Sequence, residues 1–106
     1  MSFTIKIALS LLLGFGLFQA EAQIISGKVL DESNQPIPGC NVYLEGTFYG
    51  TSTNAAGYFK FDAEAADSAT CVVEFLGFED YRQTISLQGE VEINVTLKEA
   101  FDKLNA

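Results

Sequence analysis

No histidine and no tryptophan occur in the 106 residues, and cysteine appears only twice. Without histidine the chain lacks the usual general base near neutral pH and the commonest zinc ligand. Two cysteines are too few for a disulfide scaffold and too few for a thiolate metal site. Positive charge is scarce too: 6 Lys+Arg stand against 14 Asp+Glu, a formal net charge of −8. So acidic a surface repels phosphate backbones, which excludes nucleic acid as a partner. The length leaves room for one small domain. Composition points away from an enzyme and from any cofactor, and towards a binding or structural module.

Long apolar runs are also missing. The one candidate, Ile7 to Phe18, is 12 residues long, well short of the roughly 20 that a membrane-spanning helix needs. Lys6 precedes it as the only charge before Glu21, and Gln19-Ala20-Glu21-Ala22 follows it. Small residues at Ala20 and Ala22 make an A-x-A exit. Charged start, apolar middle and small-residue exit predict a secretory signal over residues 1–22, cut before Gln23. The competing reading is an uncleaved anchor. An exported protein is expected.

From Ile24 onward no helical stripe is present until the last few residues. Short alternating runs recur instead, separated by Gly, Pro, Asn or Asp clusters, as in an all-β domain. Strands are predicted over Ile24 to Asp31, Cys40 to Glu45, Thr47 to Thr53, Tyr58 to Asp62, Thr70 to Leu76, Glu79 to Leu87 and Val91 to Leu97. Between the first two, Pro36 and Pro38 cannot sit in a central strand. Asn54-Ala55-Ala56-Gly57 reads as a hairpin loop. Seven strands about ten residues apart predict a two-sheet all-β sandwich over residues 23–97. Its inward set is Ile25, Val29, Val42, Leu44, Phe59, Phe61, Val73, Phe75, Ile85, Leu87, Val91, Ile93 and Val95.

Four blocks then resemble a known family. Gly27, Val29 and Asp31, followed by Pro36, Pro38, Gly39 and Val42, are similar to the opening G-x-V-x-D…P-x-P-G-x-x-V of carboxypeptidase regulatory-like domains. Gly46-Thr47, Gly50-Thr51, Thr53-Asn54, Gly57 and Phe59 match the following G-T-x-x-G-T-x-T-[DN]-x-x-G-x-F block. Val73 to Phe78, with Gly77 and Phe78, resembles the next strand, and Asn94-Val95-Thr96-Leu97 the last. The resemblance implies a seven-stranded immunoglobulin/transthyretin-like sandwich without catalytic residues. It further implies a module that follows the signal peptide of TonB-dependent outer-membrane receptors in Bacteroidetes-type bacteria. There it would stand in the periplasm ahead of the plug, with an unidentified protein partner in the periplasm or outer membrane. The same module accompanies metallocarboxypeptidases and occurs in short exported proteins.

Other chemistry finds little support. The adjacent pairs Asp31-Glu32 and Glu79-Asp80 point to opposite faces of a strand, so neither converges on one proton or metal. No D-x-D-x-D-G loop is present for calcium, and no His or Lys partner would activate a Ser or Thr nucleophile. Asn94-Val95-Thr96 fits a glycosylation sequon and equally an ordinary strand. The motif glycines read as backbone geometry. Cys40 and Cys71 share inward parity, and two readings are open: a disulfide in an oxidising compartment, or two buried thiols acting as small hydrophobes. Phe48, Tyr49 and Tyr58 are candidate contacts for a free-standing exported binding or adhesion module. Residues 98–106 change character, with Leu97, Phe101 and Leu104 spaced as one or two amphipathic helical turns. The resemblance makes this segment the start of a linker. As it stands the chain shows neither plug nor barrel and is not expected to transport by itself.

Overall fold

A computed structural model describes residues 23–64 and 67–100. The predicted leader, with Ala20 and Ala22, and the tail positions Phe101 and Leu104 lie outside the described residues. Among those described there are seven strands and no helix: β1 (Gln23–Asp31), β2 (Asn41–Leu44), β3 (Gly50–Ser52), β4 (Tyr58–Ala63), β5 (Ser68–Glu74), β6 (Tyr81–Ser86) and β7 (Glu90–Leu97). They form two sheets, one ordered β4-β1-β7 and the other β3-β2-β5-β6. β1 is central in the first sheet, antiparallel to β4 and parallel to β7. The second sheet is antiparallel throughout. This is the expected sandwich.

Period-2 patterning decides which side of each strand is buried. In β4, Phe59, Phe61 and Ala63 are buried while Tyr58, Lys60 and Asp62 are exposed. In β7, Ile93, Val95 and Leu97 are buried between exposed Glu92, Asn94 and Thr96. Ile25 and Val29 from β1 join them, and Val42, Leu44, Cys71, Val73 and Ile85 come from the other sheet to make one core. Each large apolar side chain so buried contributes about 1.5–3 kcal/mol before the cost of ordering it.

Gly27 interrupts the inward row of β1 for a packing reason. A Cβ there would stand 1.7 Å from the Ile93 carbonyl oxygen and 2.8 Å from Cζ of Phe59. Only a residue without a side chain lets the β1 and β7 backbones approach while the Phe59 ring covers the gap.

The structure corrects several expectations. β3 is shorter than predicted, because Thr47 is used in the turn after β2: its N–H and its hydroxyl both donate to the Leu44 carbonyl, at 3.1 and 2.8 Å. Asn54 to Gly57 is a turn, but it joins β3 to β4 across the two sheets and so is not a hairpin. Phe75 is not inward. β5 ends at Glu74, and Phe75 opens a turn in which the Phe78 N–H donates to its carbonyl at 3.1 Å, taking it out of the pleat. Val91 is half-buried at the sheet end. Lys98 to Ala100 do not begin a helical turn. They run extended beside Gly77 to Glu79, the Glu79 N–H donating to Lys98 O at 2.8 Å and the Ala100 N–H to Gly77 O at 2.9 Å.

The disulfide reading also fails, for a reason of register. Leu44 lies opposite Cys71, and Asn41 opposite Glu74. Cys40 is therefore four residues along the strand from the position facing Cys71, about 13 Å at ~3.3 Å per residue. A bridge needs Cα atoms roughly 4.4–6.8 Å apart. Both cysteines are free and fully buried.

Candidate functional site

The family-like residues divide by location into two groups. The first fixes turns. Asp31 accepts the N–H groups of Ser33 and Gln35 at 2.8 and 3.0 Å through one carboxylate oxygen. Asn54 accepts those of Ala56 and Tyr58, both at 3.0 Å, through its amide oxygen. Such side-chain acceptors replace missing ladder partners and hold each turn. Gly57 follows at φ +80° with its carbonyl accepting the Val29 N–H at 2.8 Å, and a Cβ there would meet that strand at 2.7 Å. Gly46 sits in the Thr47 turn after β2, and Gly50 and Thr51 lie on β3 beside Tyr43 and Val42. These residues shape the backbone.

Thr53, the last threonine of the same family-like block, ties the next turn down. It is buried, and its hydroxyl donates to the Ile37 carbonyl at 2.6 Å while accepting the Cys40 N–H at 2.9 Å. Its carbonyl accepts the Gly39 N–H at 3.0 Å. Pro38 and Gly39 are thereby held at the surface in one conformation.

The second group gathers beside that turn. Gly39, Asn41, Glu74, Phe75, Leu76, Gly77, Phe78 and Asp80 line an open groove of about 480 Å³. Leu76 is 93% exposed and Phe75 37%. The Phe75 and Phe78 rings lie tilted with centroids 5.9 Å apart, and Phe78 packs its other side on the core. Sequence reasoning marked Gly77 and Phe78, considered Asp80 only as half of an acidic pair, and missed Leu76 and Glu74. The available signal was an apolar residue placed in the turn just before a glycine.

The outer face of the same sheet carries linked charges. The Tyr43 hydroxyl donates to Glu74 at 2.7 Å. Arg82 pairs with Glu45 at 2.5 Å, both half-exposed. That hydrogen bond to Glu74, then desolvation and the charge of Glu74, raise the Tyr43 pKa, with Asp80 adding to the effect and Arg82 opposing it. Among the described residues no three His, Cys, Asp or Glu side chains gather as a metal site. The arrangement offers apolar contact and negative charge.

The candidate aromatic contacts do not form one surface. Phe48 projects into solvent from the β2–β3 turn, whereas Tyr49 is half-buried against the core. Tyr58 lies on the outer face of the other sheet, with the Lys28 ammonium 4.9 Å from its ring centroid.

Comparison with known proteins places the fold in a family. The model of the CarboxypepD_reg-like domain matches residues 25–106. The chain belongs to that family. It is 35% identical over 101 residues to TonB-dependent receptor SusC of Bacteroides thetaiotaomicron, which covers 92% of this chain and 10% of that protein. It is 31% identical over 83 residues to TonB-dependent receptor P26 of Formosa agariphila, covering 78% of this chain and 8% of the receptor. The CarboxypepD_reg-like chain thus spans about a tenth of the length of these relatives, both of which are named as receptors. Among solved structures, a chain of a type II cohesin–X-dockerin complex from Acetivibrio cellulolyticus superposes with a TM-score of 0.64 at 19% identity, over 73% of this chain and 58% of that one. A 3-chlorocatechol 1,2-dioxygenase from Rhodococcus opacus gives 0.56 at 11% identity, over 77% and 61%. At these identities the likeness is one of fold alone.

Proposed function

We propose that the chain is the amino-terminal extension of a TonB-dependent outer-membrane receptor, a non-enzymatic module that stands in the periplasm and makes protein contacts during nutrient uptake. The observation that carries this reading is the identity with two such receptors over nearly the whole sandwich. The chemistry agrees with it: a shaped apolar groove with carboxylates suits contact. A protein that is mostly core and turns would act as a rigid spacer with one contact surface.

Two measurements test it. In the native bacterium, an epitope inserted in the exposed β2–β3 turn at Phe48 should fractionate with the outer membrane, on a polypeptide many times larger than 11.5 kDa. A tagged product no larger than that, found in the cytoplasm, would overturn the reading. A small tagged product free in the medium would instead favour a free-standing exported binding module, which the exposure of Phe48 and Leu76 would then serve.

A further inference from the structure

We infer that the groove between the Gly39 turn and the Phe75–Phe78 turn docks a polypeptide segment carrying an apolar side chain flanked by Lys or Arg. The inference does not depend on the receptor reading, since it needs only the groove. Leu76 is almost wholly exposed and the tilted Phe75–Phe78 pair lies beside it. Such an apolar surface is largely buried again when a complementary side chain enters.

Charge selects the occupant. Glu74 and Asp80 line the groove, and no Lys or Arg does. Arg82, on the neighbouring strand, is already paired with Glu45. The Tyr43 hydroxyl donates one neutral hydrogen bond to Glu74 and leaves its charge in place. A second copy of the chain would bring the same acidic rim and a net charge of −8, which disfavours self-association. A cationic segment gains from both the rim and the overall charge.

The site is also pre-organised. One wall is fixed by the Gly39 N–H on the Thr53 carbonyl, and the other by the Ala100 N–H on Gly77 O and the Glu79 N–H on Lys98 O. Walls held by hydrogen bonds from other strands lose little freedom on binding.

The test uses the full chain and three fluorescein-labelled hexapeptides, Lys-Lys-Leu-Phe-Lys-Lys, Glu-Glu-Leu-Phe-Glu-Glu and Lys-Lys-Ser-Ser-Lys-Lys, read by fluorescence anisotropy. The first should bind, and the other two should bind at least about tenfold more weakly, as expected when apolar and charged contacts both contribute. Leu76→Ser, and separately Glu74→Gln with Asp80→Asn, should each weaken the first peptide about tenfold. Charge removal on the other sheet, Glu90→Gln with Glu92→Gln, should leave its binding unchanged. Because Leu76 is exposed, the Leu76→Ser protein should keep its unfolding midpoint. The inference is overturned if the first peptide does not bind, if Leu76→Ser binds it equally, or if the serine peptide matches it. A concentration-dependent dimer abolished by Leu76→Ser would also overturn it, by assigning the groove to a second copy.

Discussion

Two glycines sit near aromatic residues in opposite surroundings, Gly27 against the Phe59 ring and Gly77 next to Phe78 in the chain. At Gly27 the space is closed: the Ile93 carbonyl and the Phe59 ring occupy the position of a Cβ, and Phe59 is buried. At Gly77 a Cβ would meet nothing within 4 Å, and only the backbone φ of +91° resists a side chain. The first glycine lets two strands approach, and the ring over it becomes core. The second lets the chain turn, and the rings and Leu76 beside it stay at the surface. One region is built to exclude everything, the other to receive something.

The sharpest way to break this comparison is to put the same methyl group at both places. Gly27→Ala forces Cβ into a backbone carbonyl that has no room to move, and should cost about 3 kcal/mol or more. Gly77→Ala should cost only the left-handed backbone penalty, about 1–2 kcal/mol. Urea unfolding of the two variants measures both. Equal losses would mean that the closed and open regions are not mechanically distinct.

Thr53→Val carries the comparison to the groove wall. The substitution keeps shape and removes the hydroxyl, leaving the buried Cys40 N–H and the Ile37 carbonyl each short of a partner. Loss of about 1–3 kcal/mol is expected, whereas Thr53→Ser should recover most of it. Looser packing at Gly39 should also weaken binding of the basic apolar peptide, a readout that overall stability alone would not move in the Ser variant.

How much of this could be read beforehand depended on whether the deciding interaction was local. β4 and β7 were legible because one face of each meets water, so alternation survives in the residues themselves. The Asn54 turn was legible in its chemistry and not in its connection, since nothing local says that β3 and β4 belong to different sheets. Phe75 misled because its parity is correct for a strand that stops one residue earlier. Cys40 and Cys71 share parity, but only the β2–β5 register shows that they are far apart. Leu76 stood in a family-like block, yet its exposure follows from the turn and from the Lys98–Ala100 segment folding back on Gly77. The groove was therefore the least legible part, being lined by two separated segments and braced by a third.

The buried thiols allow a subtler comparison between core and surface. Burial pushes the Cys71 pKa up to about 11 from 9.0, and Cys40 in the same direction, with Thr53 partly offsetting it. The native state therefore holds these protons more tightly than the unfolded chain. The stabilisation is fully present below pH 9 and is lost as pH rises from 9 through about 11. Unfolding titrations across that window should show stability falling, with a shallower slope in Cys71→Ala. Iodoacetamide at pH 8 should label neither cysteine until the protein unfolds.

The smallest effect is expected where a surface pair covers an apolar residue. Val72 is fully buried although its parity points outward, with Tyr43 opposite it on one side and Arg82 on the other. The Arg82–Glu45 pair joins β6 to the end of β2, so it must cross β5, and Val72 lies beneath that crossing. An exposed ion pair by itself is worth at most about 1 kcal/mol and weakens with salt. The guanidinium stem contributes separately by keeping water from Val72. Arg82→Met, which keeps the stem and removes the charge, should cost less than about 0.5 kcal/mol, and Arg82→Ala somewhat more. If the two variants lose the same stability, and high salt erases the loss, the charge and not the cover was responsible, and Val72 would be sheltered by Tyr43 alone.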